Sequence, residues 1–159
     1  MAYLIDGNNL LGHLYSGVGI KDPGNRAEIV GRLAAFQRIS RTRIVLVFDG
    51  RPPDEGSPIA VNPKFTILFP DPGDSADILI AERIARQTDK RRFFVVSSDR
   101  EIRNFARSRG LLDMSSEEFS RELRRVLRKA KKSDEMKKEV RLPSPLEVRL
   151  WDEAFRSRK

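Results

Sequence analysis

The chain of 159 residues has no cysteine, a single histidine and a single tryptophan. Without thiols, disulfides, thiolate zinc sites and cysteine nucleophiles are excluded. The lone histidine, His13, lies one turn into a segment with Leu10, Leu11 and Leu14. That is the place of a helix-surface or core-edge side chain rather than a general base. No run approaches the ~20 apolar residues of a membrane span. Met1-Ala2-Tyr3-Leu4-Ile5-Asp6 has neither the basic start nor the apolar core of a signal peptide, so a cytoplasmic protein without membrane contact is expected. Hydrophobic residues at 39% and charged residues at 34% describe a globular chain long enough to bury one core.

What the chain does have is a repeated ending. Tyr3-Leu4-Ile5 stops at Asp6-Gly7-Asn8-Asn9, and Arg43 to Phe48 stops at Asp49-Gly50. Phe65 to Phe69 ends shortly before Asp71, Asp74 and Asp77, Phe93-Phe94-Val95-Val96 enters Ser97-Ser98-Asp99, and Leu111-Leu112 enters Asp113. Short β-rich apolar runs separated by helical segments predict a buried parallel sheet. Carboxyl ends of parallel strands share one edge, where ligands bind. The carboxylates are therefore expected to converge, and an oxygen-only ligand set points to Mg²⁺ or Mn²⁺.

Between the strands, Asn25 with Glu28 predicts a helix start, running to about Ser40. Another helix is expected from Ser75 to Thr88 with Asp74 as its cap, and another from Arg100 to Arg109, stopped by Gly110. Ser115 with Glu118 opens a helix that places Phe119, Leu123, Val126, Leu127 and Ala130 on one face. Arg121, Arg125, Arg128 and Lys132 fall on another. Gly50 to Pro58 reads as a loop, Leu142-Pro143-Ser144-Pro145 as a break, and Leu146 to Phe155 as a short amphipathic segment whose Trp151 and Phe155 have core-packing spacing.

The net charge of +8 is unevenly placed. Residues 121–159 hold 14 Lys and Arg against 7 Asp and Glu, whereas the first 120 hold 17 against 16. A nearly neutral domain with an acidic edge thus precedes a basic arm, from Arg121 to Arg141. A polyanion such as nucleic acid satisfies both: the arm neutralises phosphates while metal ions screen the acidic site. The same charge also suits an ordinary solvated helix.

Each aspartate taken alone has an ordinary explanation. Asp6 and Asp49 precede glycine as turn residues do, Asp77 suits a first helical turn, and Asp99 suits an N-cap. Four on one rim are harder to explain, because carboxylates raise one another's pKa unless a cation compensates.

Asp6-Gly7-Asn8-Asn9, Val47-Phe48-Asp49-Gly50, Ser75-Ala76-Asp77-Ile78-Leu79-Ile80 and Val95-Val96-Ser97-Ser98-Asp99-Arg100, in this order and spacing, resemble the motifs of the NYN domain family, in particular its YacP-like branch. That family belongs to the PIN-like nucleases, and the resemblance covers residues 2 to 115. It implies a three-layer α/β/α sandwich around a central parallel sheet, of about five strands here, for a nuclease domain at residues 1–119; the basic helical extension at 120–159 is expected from the charge distribution, in a region the family defines less well. The resemblance also implies a metal-dependent ribonuclease, with Asp6, Asp77 and Asp99 as metal ligands, Asp49 as a further acidic group and Asn9 as the polar residue after strand one. Many relatives carry an aromatic residue where this chain has Asn8; spacing assigns the family role to Asn9.

Hydrolysis of RNA phosphodiester bonds, leaving 5′-phosphate and 3′-hydroxyl ends, is the activity this implies, with endonuclease action on messenger RNA favoured. Asn9 and Ser98 are candidates to orient water or phosphate, and Arg51, Arg100, Arg121, Arg125, Arg128 and Lys132 to contact RNA. No aromatic-rich sheet surface is evident for reading bases, so weak intrinsic sequence preference is expected, with a partner such as the ribosome presenting the substrate. Two readings compete. One is a non-catalytic RNA-binding or scaffold protein on the same fold, which loss of one aspartate would signal. The other is an aspartyl phosphatase, which needs an Asp-x-Asp where this chain has Asp6-Gly7-Asn8.

Overall fold

The computed structural model describes residues 1–15, 23–52 and 59–137. The chain runs β1 (Ala2–Asp6), α1 (Gly7–Leu14), α2 (Pro23–Ser40), β2 (Arg43–Val47), β3 (Ile59–Asn62), β4 (Phe65–Leu68), α3 (Ala76–Arg86), β5 (Phe93–Val96), α4 (Arg100–Ser108), β6 (Leu112–Met114) and α5 (Ser116–Lys137). Six strands form one sheet in the order β3-β4-β2-β1-β5-β6. Every neighbouring pair is parallel except β3 with β4. The expected parallel sheet is present, with an added antiparallel edge strand. None of the four β3 residues is fully buried, and the register shifts between Ala60 and Asn62, so its sequence lacks a strand's pattern and pairing with β4 alone defines it.

β1 sits between β2 and β5. The chain builds outward from β1 on one side, then crosses to the other side for β5, and at such a reversal a crevice opens beyond the carboxyl ends of the strands. Both faces of the sheet are covered. Tyr3 and Ile5 join Leu33, Phe36, Phe119 and Leu123 beneath α1, α2 and α5, while Leu4 and Val95 join Ile80, Ile84, Ile102 and Ala106 beneath α3 and α4. Burial on both faces is why the strands read as continuous apolar runs rather than as an alternation. Tyr3, Phe36 and Phe119 pack edge to face at 5.3–5.7 Å between ring centres, which locks α2 and α5 to the sheet.

The helix boundaries follow local chemistry. α2 begins at Pro23, two residues before the expected Asn25, with proline in the first turn where its missing N–H costs nothing. α3 is capped by Ser75, not Asp74: Ser75 is extended and its hydroxyl accepts the Ile78 N–H at 3.4 Å. Asp74 instead belongs to the preceding turn, donating its N–H to the Asp71 carbonyl at 2.9 Å. α3 ends at Arg86, short of Thr88. Asp99 caps α4 and Gly110 follows its end at φ +79°, a conformation glycine adopts without strain. Ser115 accepts the Glu118 N–H at 3.0 Å as α5 starts, and α5 runs unbroken past residue 120 with Phe119, Leu123, Leu127 and Ala130 buried. Arg141 at the end of the basic arm, the break at Leu142 to Pro145 and the segment from Leu146 to Phe155, with Trp151, lie outside the described residues. Among the described residues no helix is long and apolar enough to cross a membrane.

Candidate active site

Asp6 ends the central strand and also caps α1. Its carboxylate is buried at 7% exposure, accepts the Asn9 N–H at 3.4 Å and accepts the Ser97 hydroxyl at 3.1 Å. A strand can pass straight into a helix here because residue 7 is glycine. A Cβ at Gly7 would lie 2.7 Å from the Val47 carbonyl oxygen and 2.6 Å from the Phe48 ring. Asp49 follows β2, and its carboxylate accepts the Ala76 N–H at 2.8 Å, so it tethers the start of α3 to the end of β2. Asp77 is exposed in the first turn of that helix. Asp99 lies beyond β5, with one oxygen accepting the Glu101 N–H at 2.8 Å.

The four aspartates therefore lie along the carboxyl edge of β1, β2 and β5, near enough for the charges of Asp77 and Asp49 to act on Asp6 and those of Asp99 and Asp49 to act on Asp77. Burial pushes the Asp6 carboxyl up to about 6, opposed by its hydrogen bonds from Ser97 and Asn9 and reinforced by the charges of Asp77 and Asp49. Desolvation also raises Asp77, with Asp99, Asp49 and Glu101 adding repulsion. None of the four is ion-paired among the described residues. Asp113 does not join them. It lies within β6 opposite Val95, and Arg103 and Arg107 each clasp it at 2.7 Å, holding its carboxyl below the usual range, chiefly through the Arg107 hydrogen bonds. Asp71 and Asp74 stay in the exposed turn before α3.

Hydroxyls and amides hold this rim together, among them Ser97 and Ser116, which sequence patterns did not single out. Ser97 is fully buried; besides donating to Asp6 it accepts the Asp99 N–H at 3.1 Å, which couples the two aspartates through one side chain. Asn8 accepts the Asp49 N–H at 3.1 Å. Asn9 accepts the Ser98 N–H at 2.9 Å and the Ser116 hydroxyl, joining α1, the turn after β5 and the start of α5. With its oxygen committed to these donors, Asn9 keeps only its amide hydrogens for a substrate. Glu101 adds a fifth carboxylate; its position two residues after Asp99 is the one signal that could have marked it.

Of the expected RNA contacts, Arg51 and Arg100 are exposed and adjoin Asp49 and Asp99 in the chain. Arg121, Arg125, Arg128 and Lys132 line one groove on α5 together with Arg124 and Lys129. Arg125 is held by Glu122 at 2.6 Å, and Arg121 lies 3.8 Å from Glu117. His13 is exposed in the last turn of α1.

The rim suits a hard divalent cation in donor type, since it offers only carboxylate, amide and hydroxyl oxygens, and in charge, since its carboxylates are mutually uncompensated. Among the described residues, however, no three acidic or histidine side chains are gathered into a ready cage. Asp6, Asp49 and Asp99 each commit an oxygen to a helix N-terminus, which holds them apart. Mg²⁺ tolerates such a site, because it keeps several waters and takes one or two carboxylates together with substrate phosphates.

Two crystal structures of Rae1 (YacP) from Bacillus subtilis share this fold. The W164L mutant matches with a TM-score of 0.65 and 21% identity, covering 96% of this chain and 92% of that one. The other structure of that protein matches with a TM-score of 0.63 and 23% identity, covering 86% and 83%. No curated protein sequence matches the chain. The family model for the YacP-like NYN domain matches residues 3–157, well beyond the four motifs, and with the carboxylate edge of the sheet it assigns the chain to the YacP-like NYN domain family.

Proposed function

We propose that this protein is a metal-dependent endoribonuclease. The observation that carries the reading is the edge where the charges of Asp49, Asp77 and Asp99 add to burial in raising the Asp6 and Asp77 carboxyls, with no cationic side chain paired to the four among the described residues. Such an arrangement costs stability in a bare protein and favours a cation, for which Asp6, Asp77 and Asp99 are the proposed ligands. Mg²⁺ or Mn²⁺, when bound, supplies Lewis acidity toward the phosphate and a more acidic water.

The chain's own residues do the rest. Ser97 and the Asn9 N–H fix the Asp6 carboxylate, so it needs little reorganisation when substrate arrives. Asp49 and Asp99 each keep one oxygen beyond the one that caps a helix. Arg51 and Arg100 flank the rim as phosphate contacts, and Arg121, Arg125, Arg128 and Lys132 on α5 bind the strand on either side of the cut. Water adds to phosphorus, the bond to the 3′ oxygen breaks, and 5′-phosphate and 3′-hydroxyl ends result. Contacts of this kind read phosphates and shape, so target choice belongs to a presenting partner in the cytoplasm, for which the ribosome is suited.

Incubation of end-labelled RNA with the purified protein and Mn²⁺, Mg²⁺ or EDTA tests the reading. Cleavage is expected with either metal and is lost in EDTA and in Asp99→Asn. Cleavage that persists in EDTA overturns it. A non-catalytic RNA-binding role is the second reading, favoured by the basic α5 groove and by the absence of a gathered ligand cage among the described residues. Tight RNA binding without cleavage under any metal would select it.

A further inference from the structure

Two backbone outliers lie far from the carboxylate rim. Among the described residues, Arg41 and Arg92 are the non-glycine residues in the left-handed region, at φ 55° and 52°. Glycine or asparagine occupies that region at lower cost, so two arginines there invite a functional explanation. They belong to different connections, one between α2 and β2 and the other between α3 and β5, yet both line a single open cavity of about 740 Å³. Both precede parallel strands, which places the cavity at the amino-terminal edge of the sheet, opposite the aspartates.

Tyr3, Phe36, Val126 and Ala130 contribute its apolar lining, and Arg41, Arg92, Arg125 and Lys129 its cations, against Glu122 as the one lining carboxylate among the described residues. Arg125 is engaged by Glu122. Arg41, Arg92 and Lys129 have no carboxylate within ion-pairing distance among the described residues. Such a cavity selects an anion. The helix α5 links it to the rim: α5 starts at Ser116, which bonds Asn9, and its Arg125 and Lys129 line both the α5 groove and the cavity. At 1.5 Å per residue the helix descends roughly 20 Å from Ser116 to Lys129.

We propose that the far-edge cavity is a second phosphate-binding site, holding the flank of an RNA strand that leaves the carboxylate rim along α5. The inference rests on the RNA reading above and adds Arg41, Arg92 and Lys129 as strand-binding residues. These three neutralise phosphates about 20 Å from the scissile bond, by the same helical rise.

The test uses the full chain in EDTA, so that binding is read without cleavage, with labelled single-stranded RNAs of increasing length. Arg41→Asn, Arg92→Asn and Lys129→Gln are combined in one variant; asparagine tolerates the left-handed backbone, so melting temperature is expected to hold or rise. For RNAs long enough to reach the cavity, the slope of log affinity against log salt falls by about 2, from three lost contacts at ~0.7 each. For the shortest RNAs that bind, affinity and slope are unchanged, and with metal their cleavage rate at saturation is kept. Equal slopes for variant and parent at every length would overturn the second site while leaving the nuclease reading intact. A slope change equal at all lengths would overturn it too, since it would reflect diffuse charge. Carbodiimide crosslinks from Lys129 to Asp152 or Glu153 that RNA does not disturb would assign the cavity to the chain's own carboxyl-terminal segment, and equally overturn it. A length-dependent change in a protein that cuts under no metal would retain the site and reject the nuclease.

Discussion

Gly7 shows how one residue fixes the site. With the Val47 carbonyl 2.7 Å from where a Cβ would sit, no side chain fits between the end of β1 and β2, and the adjacent Phe48 ring closes the remaining space. Gly7→Ala must push α1 away from β2. That displacement moves Asp6 and Asn9 together, because the Asn9 N–H and the Asp6 carboxylate are bonded to each other. A loss of about 1–3 kcal/mol is expected from the overpacking, measured by urea denaturation. Cleavage should fall by more than stability alone explains, even where the protein remains folded. A variant with parental stability and turnover would show that the close approach does not position the rim. Ser97 acts in the same way by a different means, since its single hydroxyl bonds both Asp6 and the Asp99 backbone.

At the scale of elements, α5 does two jobs on two faces. Phe119, Leu123, Leu127 and Ala130 are buried against the sheet and α2, while Arg121, Arg124, Arg125, Arg128, Lys129 and Lys132 line an outward groove. Replacing Arg121, Arg125, Arg128 and Lys132 by glutamine leaves the buried face untouched. The pairs lost, Arg125 with Glu122 and Arg121 with Glu117, are exposed and worth little. RNA affinity should drop and the salt slope should flatten by up to about 3, with turnover at saturating RNA retained. Arg125 is expected to contribute least, because RNA must compete with Glu122 for it. A slope equal to the parent's would make α5 an ordinary solvated helix.

Over the whole molecule, titration acts in two opposite directions. The Asp6 carboxyl is raised from 3.8 to about 6, so the folded, metal-free protein binds its proton more tightly than the unfolded chain does. Stability from this group is fully present below pH ~4 and is lost as pH rises through ~6, amounting to about 3 kcal/mol at 1.36 kcal/mol per unit. Asp77 shifts in the same direction. Asp113 is depressed by its arginines, so its contribution holds above the ordinary carboxylate value and fades as pH falls through its lowered one. Melting in EDTA is therefore expected to weaken between pH 4 and 7 in the parent and much less in Asp6→Asn, whose amide can still cap α1. The variant should also be the more stable of the two at neutral pH without metal. Parallel melting curves across that window would reject a strained Asp6. Added Mg²⁺ or Mn²⁺ should reverse the parent's trend, because a cation favours the ionised carboxylates.

Much of this was legible in the sequence because it depends on local pattern. Continuous apolar runs announced strands buried on both faces, and their shared polar endings announced a common edge. The spacing of Phe119, Leu123 and Leu127 announced the buried side of α5, and the four motifs carried the family. Tertiary structure decided what depends on contacts distant in the chain. Asp113 follows the same strand-ending pattern as Asp49, yet Arg103 and Arg107, brought alongside β6 by α4, draw it away from the rim. Ser75 displaced Asp74 as the α3 cap by accepting the Ile78 N–H, and Asp49, 27 residues before Ala76, accepts the Ala76 N–H. β3 became a strand only by pairing with β4. Arg41 and Arg92, 51 positions apart by their numbering, share a cavity only because β2 and β5 flank β1 from opposite sides. Periodicity along a chain reports which face is buried; which side chains then meet is set by strand order.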